Sequence, residues 1–201
     1  GGLDPAFVLE PVGVGLVLGA CAAAAGAEAF SVSYDQKVTL GRQVMTSKVS
    51  MKDKMFRIDM TADGQTMATL HNASGAYTYM PAEGMAMKLS ALNPSQRPIE
   101  HADNYAQYLQ EQHAERIGTE TVDGHPCEIY RFTDPDTGDL VTAWVWTEKQ
   151  FPIKLEIDGA KGKILVEIQN LQLGAALPDA LFELPADVQV MDMGNMFQMG
   201  Q

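Results

Sequence analysis

The sequence predicts a mainly β fold, a wide antiparallel sheet with one central helix. Three observations predict it. From Phe30 onward apolar residues recur with a period of two, the mark of half-buried strands. Turn signals such as Asp63-Gly64, Ser74-Gly75 and Asp123-Gly124 separate these runs at hairpin spacing. Only one long stretch, His101 to Arg116, lacks both Gly and Pro and spaces its apolar residues as a helix does.

The elements follow in order. Phe30, Val32 and Tyr34 alternate with Ser31, Ser33 and Asp35, and Val44 to Met51 continues less cleanly. Met55 to Met60 sets Phe56, Ile58 and Met60 against Arg57 and Asp59. Thr66 to His71, Ala76 to Met80 and Met85 to Leu89 are three more strands. Asn93-Pro94 to Pro98 is a turn-rich break, after which Asn104 or Asp103 can cap the helix. Strands resume at Ile117 to Val122, Cys127 to Phe132, Leu140 to Thr147, Ile153 to Ile157 and Ile164 to Leu173. Asp179 to Phe182 reads as a short helical turn, and Val188 and Val190 read as a last short strand. About ten strands joined by hairpins form a meander, and a sheet that wide tends to curl. One helix is little to fill a curled sheet. Either a ligand cavity remains, or the sheet closes on its own side chains.

The N-terminus reads as an export signal. Residues 1–29 hold no Lys or Arg, and Val12 to Ala25 is apolar or Gly throughout. Fourteen residues are too few to span a bilayer, which takes about 20, but they suit a signal-peptide core. Cleavage is expected after Ala27 or Ala29. The rival is Leu18-Gly19-Ala20-Cys21, which resembles a lipobox and would make Cys21 a lipidated first residue. The expected division is therefore signal over 1–29, domain over 30–191, and a Met-rich tail over 192–201. The expected compartment is the periplasm, with an outer-membrane lipoprotein facing the periplasm as the alternative. Membrane association then depends on Cys21 being lipidated.

Composition narrows the function. Of 201 residues, 14 are Lys or Arg and 26 are Asp or Glu, a formal net charge of -12. A nucleic-acid partner needs a basic face, so none is expected. The 2 Cys are too few for a disulfide scaffold. No Gly-x-Ser-x-Gly elbow or phosphate-binding loop occurs. The four His (His71, His101, His113 and His125) lack metal-ligand spacing. Neither an enzyme nor a cofactor is expected.

Several motifs, in order, resemble the LolA/LolB-like superfamily of bacterial envelope proteins, which includes the outer-membrane lipoprotein carriers. They are Met55-Phe56-Arg57-Ile58-Asp59-Met60, Tyr77-Thr78-Tyr79-Met80-Pro81, and Gly118-x-Glu120-x-Val122-x-Gly124-x-x-Cys127-x-x-Tyr130. Trp144-Val145-Trp146 ahead of Phe151-Pro152-Ile153-Lys154, and a closing Leu181-Phe182-Glu183-Leu184-Pro185, complete the set over roughly residues 30–191. The resemblance implies a curved antiparallel half-barrel, unclosed, with the helix and the short C-terminal helical turn across its concave face. It also implies a carrier that holds a lipid or lipoprotein acyl chain in an apolar cavity without chemistry. The chain departs from the carriers in having a single helix and no clear protruding apolar loop, the nearest stretch being Met80 to Leu92.

The cavity residues expected on this reading are Phe56, Ile58, Met60, Tyr77, Tyr79, Trp144, Trp146 and Leu155. A one-residue register slip would invert the two Trp. Arg57 is expected as a polar anchor at the rim, or else as a solvated arginine. Eight of the 12 Met lie between Met45 and Met87, and Met suits a pocket that repacks around variable chains as well as plain core filling. The remaining four, Met191, Met193, Met196 and Met199, offer thioethers that suit Cu(I), or an apolar plug. A second function class is an envelope sensor that binds a protein partner on the same fold.

Overall fold

The computed structural model describes residues 30–62, 64–92, 98–160 and 162–192. Residues 1–29, with Cys21, and the tail residues Met193, Met196 and Met199 lie outside them.

The chain forms one open, curved sheet of twelve strands. They are β1 (Ser31–Leu40), β2 (Gln43–Lys52), β3 (Met55–Ala62), β4 (Gln65–Asn72), β5 (Gly75–Met80) and β6 (Met85–Leu89), then β7 (Glu115–Val122), β8 (His125–Thr133), β9 (Leu140–Trp146), β10 (Phe151–Gly159), β11 (Gly162–Leu173) and β12 (Gln189–Asp192). The spatial order is β12-β6-β5-β4-β3-β2-β1-β11-β10-β9-β8-β7. Two hairpin meanders are joined where β1 pairs with β11, and every pairing is antiparallel except the parallel pair β12–β6. The hairpin turns follow the sequence signals: Asp123 and Gly124 both take positive φ (49° and 82°), as a tight two-residue turn requires.

The helix α1 spans Tyr105–Glu111, shorter than the His101–Arg116 stretch. Its start is set by Asn104, whose side chain accepts the Gln107 N–H. His113, at φ 51°, ends the helical path, and Glu115 and Arg116 open β7. The chain before α1 is fixed by the Ile99 N–H donating to the Tyr34 hydroxyl at 3.3 Å. Tyr108 meets Phe132 edge-on at 5.6 Å, and Tyr105 and Leu109 are buried.

Residues paired directly across strands share a face, so register separates the two sides. One row runs Tyr34, Val49, Ile58, Thr69, Thr78 and Met87. Val38, Val166, Leu155, Ala143 and Tyr130 continue that face toward β8, where α1 lies on it. The reverse face carries Ser33, Ser50, Arg57, Leu70, Tyr77 and Lys88.

The helical turn Asp179–Phe182 packs on this reverse face, opposite α1, not beside it as expected. The reason is the route of residues 174–188. They leave β11 at the sheet centre and cross to β12 at the far edge, held by backbone acceptors of their own. Lys52 Nζ donates to Leu177 O at 3.3 Å, Arg57 Nη1 to Leu181 O at 3.3 Å, and Asn72 Nδ2 to Phe182 O at 2.9 Å. Phe182 is fully buried. The sheet is thus covered on opposite faces at opposite ends, by α1 over β8–β11 and by this strap over β2–β5.

Burial pushes the Tyr34 and Tyr105 hydroxyls well above the usual tyrosine range. The neutral forms are favoured in the folded state. The stability they confer is complete below the unfolded tyrosine value of about 10 and is lost as pH rises from there through the folded values. The urea midpoint is expected to fall above about pH 10, and Tyr34→Phe to flatten that fall. A slope unchanged by Tyr34→Phe would show that Tyr34 does not set it.

Candidate functional site

The offset covers leave the helix-bearing face unevenly roofed. Under α1 lies a cavity of about 260 Å³ between Tyr105 and Tyr108 on the helix side and Gln36, Phe132, Leu155 and Val166 on the sheet. Beyond the reach of α1, at the ends of β2–β5, lies a cavity of about 550 Å³. Met45, Met60, Met67 and Met80 line it, with Thr61, Thr66 and, from the 3-10 turn Pro81–Glu83, Glu83. The larger cavity falls within the size of small-ligand sites, roughly 300–1,000 Å³.

The methionines converge because of register. Met60 pairs directly with Met67, and Met80 with Met85. The Ala68–Tyr79 pair sets Met67 beside Met80 one step further along. Met87 pairs with Met191 of β12. Exposure of Met45 (46%), Met67 (38%) and Met191 (37%) shows how little covers this end. Under α1 the same face is instead filled by Phe132, Val141, Ile157 and Val166.

The cavity under α1 contains one polar anomaly. Gln36 lies between Tyr34 and Val38 on the apolar phase of β1, and its buried Oε1 accepts no hydrogen bond from the described residues. An unmet buried acceptor costs about 1–3 kcal/mol, so the site suits a ligand or water that brings a donor. Burial also pushes the Cys127 thiol up, which keeps it protonated and unreactive. Among the described residues, no three His, Cys, Asp or Glu side chains come together as a metal site.

The eight expected cavity residues divide between the faces. Phe56 and Ile58 lie in the main core on the helix-bearing face. Met60 lines the larger cavity and Leu155 the smaller. Tyr77 and Tyr79 lie on the reverse face, paired with Leu70 and Ala68, and the Tyr77 hydroxyl donates to Ser74 O at 3.1 Å. Trp144 alternates with Ala143 and Val145 and faces away from α1. There its Nε1–H donates to Glu120 Oε2 at 2.6 Å, and Lys154 Nζ sits 4.0 Å from the ring centre. Trp146, next on that side of β9, packs against His125 at 3.9 Å. Arg57 is paired with Asp59 at 2.8 Å and tied to the strap on the reverse face, where it lines a separate cavity of about 450 Å³ rather than either cavity of the helix-bearing face. Gln36, Tyr105, Tyr108, Phe132 and Val166 were not expected as lining residues. The readable signal was a lone Gln on the apolar phase of a strand.

An open, curved antiparallel sheet that leaves room on its helix-bearing face is a LolA-like fold. The chain is similar to one in the Pseudomonas aeruginosa MucA/MucB complex, with a TM-score of 0.51 and 15% identity, covering 81% of this chain and 58% of that one. It is similar at lower scores to Mycobacterium tuberculosis lipoprotein LppX (TM-score 0.44, 14% identity, 73% and 87% covered). A putative outer membrane lipoprotein-sorting protein domain from Vibrio parahaemolyticus gives 0.34, 12% identity, and 77% and 89% covered. The chain therefore spans somewhat over half of the MucA/MucB chain it matches. By sequence it belongs to the family described as Domain of unknown function (DUF4412), whose model matches residues 27–150. No curated protein matches the chain. Among the described residues, no helix is long and apolar enough to cross a membrane.

Proposed function

We propose that this protein is a periplasmic, non-enzymatic binding or carrier protein that shelters a lipid, a lipoprotein acyl chain or a similar apolar ligand on the helix-bearing face. The observation that carries this reading is the 550 Å³ cavity with its exposed methionine lining. Apolar groups entering it leave water and gain about 0.8 kcal/mol per buried methylene, and unbranched thioether side chains repack around chains of different length. The helix α1 gates the smaller cavity, where Gln36 Oε1 receives a donor from a headgroup. The apolar stretch Val12 to Ala25 supports delivery across the inner membrane.

The test is extraction. Protein purified without detergent from the envelope of a Gram-negative host is extracted with organic solvent, and the extract is analysed by mass spectrometry. Lipid in stoichiometric amount is the expected result. An empty extract, together with no uptake of a fluorescent fatty acid, overturns the reading. The competing view, a module that recognises a protein partner, has one observation in its favour: among the described strands, β7 is paired on one side only. That edge carries Glu115, Arg116 and Glu120, and charges on an edge strand discourage strand addition.

A further inference from the structure

We infer that the methionine cavity is a binding site for a soft monovalent cation, Cu(I) or its redox-silent analogue Ag(I). The site is built by the sheet and is separate from the tail. The inference does not rest on the apolar-ligand reading.

The argument begins with residue choice. Along one face of one sheet, the part packed under α1 uses Val, Ile, Leu and Phe, the residues strands favour. The part that lines the open cavity uses Met at Met45, Met60, Met67 and Met80, one from each of β2, β3, β4 and β5. Strand propensity gives no reason for the switch, because Met is no better a strand former than the residues it replaces. Coordination chemistry does. A thioether is a neutral, soft donor that selects Cu(I) over harder ions.

Register supplies the geometry. Met60 and Met67 are direct cross-strand partners, and Met80 follows at the next strand. Opposed Cβ atoms lie about 4.5–5.5 Å apart in such pairs, and three rotatable bonds let each sulfur swing toward a common point. Charge supports entry. The cation meets Glu83 at the lining, in a protein of net charge -12. The absence of any cluster of three His, Cys, Asp or Glu among the described residues leaves zinc-like ions no comparable set of ligands.

The test replaces thioether by hydrocarbon at nearly constant volume. Wild-type protein and the M60L/M67L/M80L variant are titrated with Ag(I), and anaerobically with Cu(I) against a chromophoric Cu(I) chelator. The wild type is expected to bind one ion. The variant is expected to bind it ~100-fold more weakly, at or beyond the upper end of the loss from removing a mere supporting group. Uptake of a fluorescent fatty acid is measured on the wild type as a separate readout. M55L, on the reverse face, should bind the ion as the wild type does. X-ray absorption of the Cu(I) form should show sulfur neighbours that the triple variant loses.

Wild-type affinity in the triple variant overturns the inference, and M191L/M193L/M196L/M199L then tells whether the tail holds the ion. No binding by the wild type also overturns it. If the triple variant does not fold, M67L, at an exposed position, must still weaken Ag(I) binding. Fatty-acid uptake is scored separately, so the failure of either idea leaves the other standing.

Discussion

Replacing Phe182 by Ala is expected to destabilise the protein by about 3–5 kcal/mol, the range for truncating a buried Phe. The side chain is fully buried, and it pins a strap that has little else to bury. Backbone bonds from Arg57 and Asn72 position the strap, but their net worth is about 1 kcal/mol each. Losing Phe182 also releases β12, whose four residues are exposed and, among the described strands, pair with β6. Equilibrium urea unfolding measures the change. A loss under about 0.5 kcal/mol, the size of an ordinary surface substitution, would show that the strap contributes little to stability.

The second large effect falls on ligand uptake. Met67→Asp puts a carboxylate into the wall of the larger cavity at a position 38% exposed, so folding should survive. An apolar chain against that wall must desolvate the charge, at a cost of several kcal/mol. Affinity for a fluorescent fatty acid is expected to fall ~100-fold, equivalent to about 2.7 kcal/mol. Met67→Leu serves as the matched control and should retain uptake. Equal affinity in Met67→Asp and Met67→Leu would place the apolar ligand somewhere other than this cavity.

Much of the architecture was legible because strands and hairpins are local. The alternation in Met55 to Met60 gave β3, and Asp123-Gly124 gave the β7–β8 turn. The helix was legible in place but not in length, because His113 at positive φ and the strand formed by Glu115 and Arg116 are not written in apolar spacing. The last strand, β12, was legible around Val190, but its place beside β6 was not. Parallel pairing between residues about a hundred positions apart leaves no local mark.

The site was less legible, for a definite reason. Alternation says which residues share a face but not which face a neighbouring strand turns inward. Tyr77 and Tyr79 are expected on the helix-bearing face, as are Trp144 and Trp146 unless the register slips by one, and an apolar phase marks the inward side only where a single face is buried. Here both are. The strap buries the reverse face around Leu70 and Tyr77, and Trp144 is satisfied there by Glu120 and Lys154. The bulges between Arg116 and Gly118, and between Pro152 and Lys154, shift the register further.

The joint between β1 and β11 has a consequence for how the chain reaches its native state. The first strand of the domain finds its second neighbour only when residues 162–173 exist. Synthesis proceeds from the N-terminus, so β1–β6 can pair as a meander long before the centre of the sheet can close. Until then one edge of β1 stays bare, and such edges recruit other chains. Contacts this distant in sequence also slow folding. The β1–β11 pairing is therefore available only after most of the chain has been made, and until then the half-made sheet presents an open edge at β1.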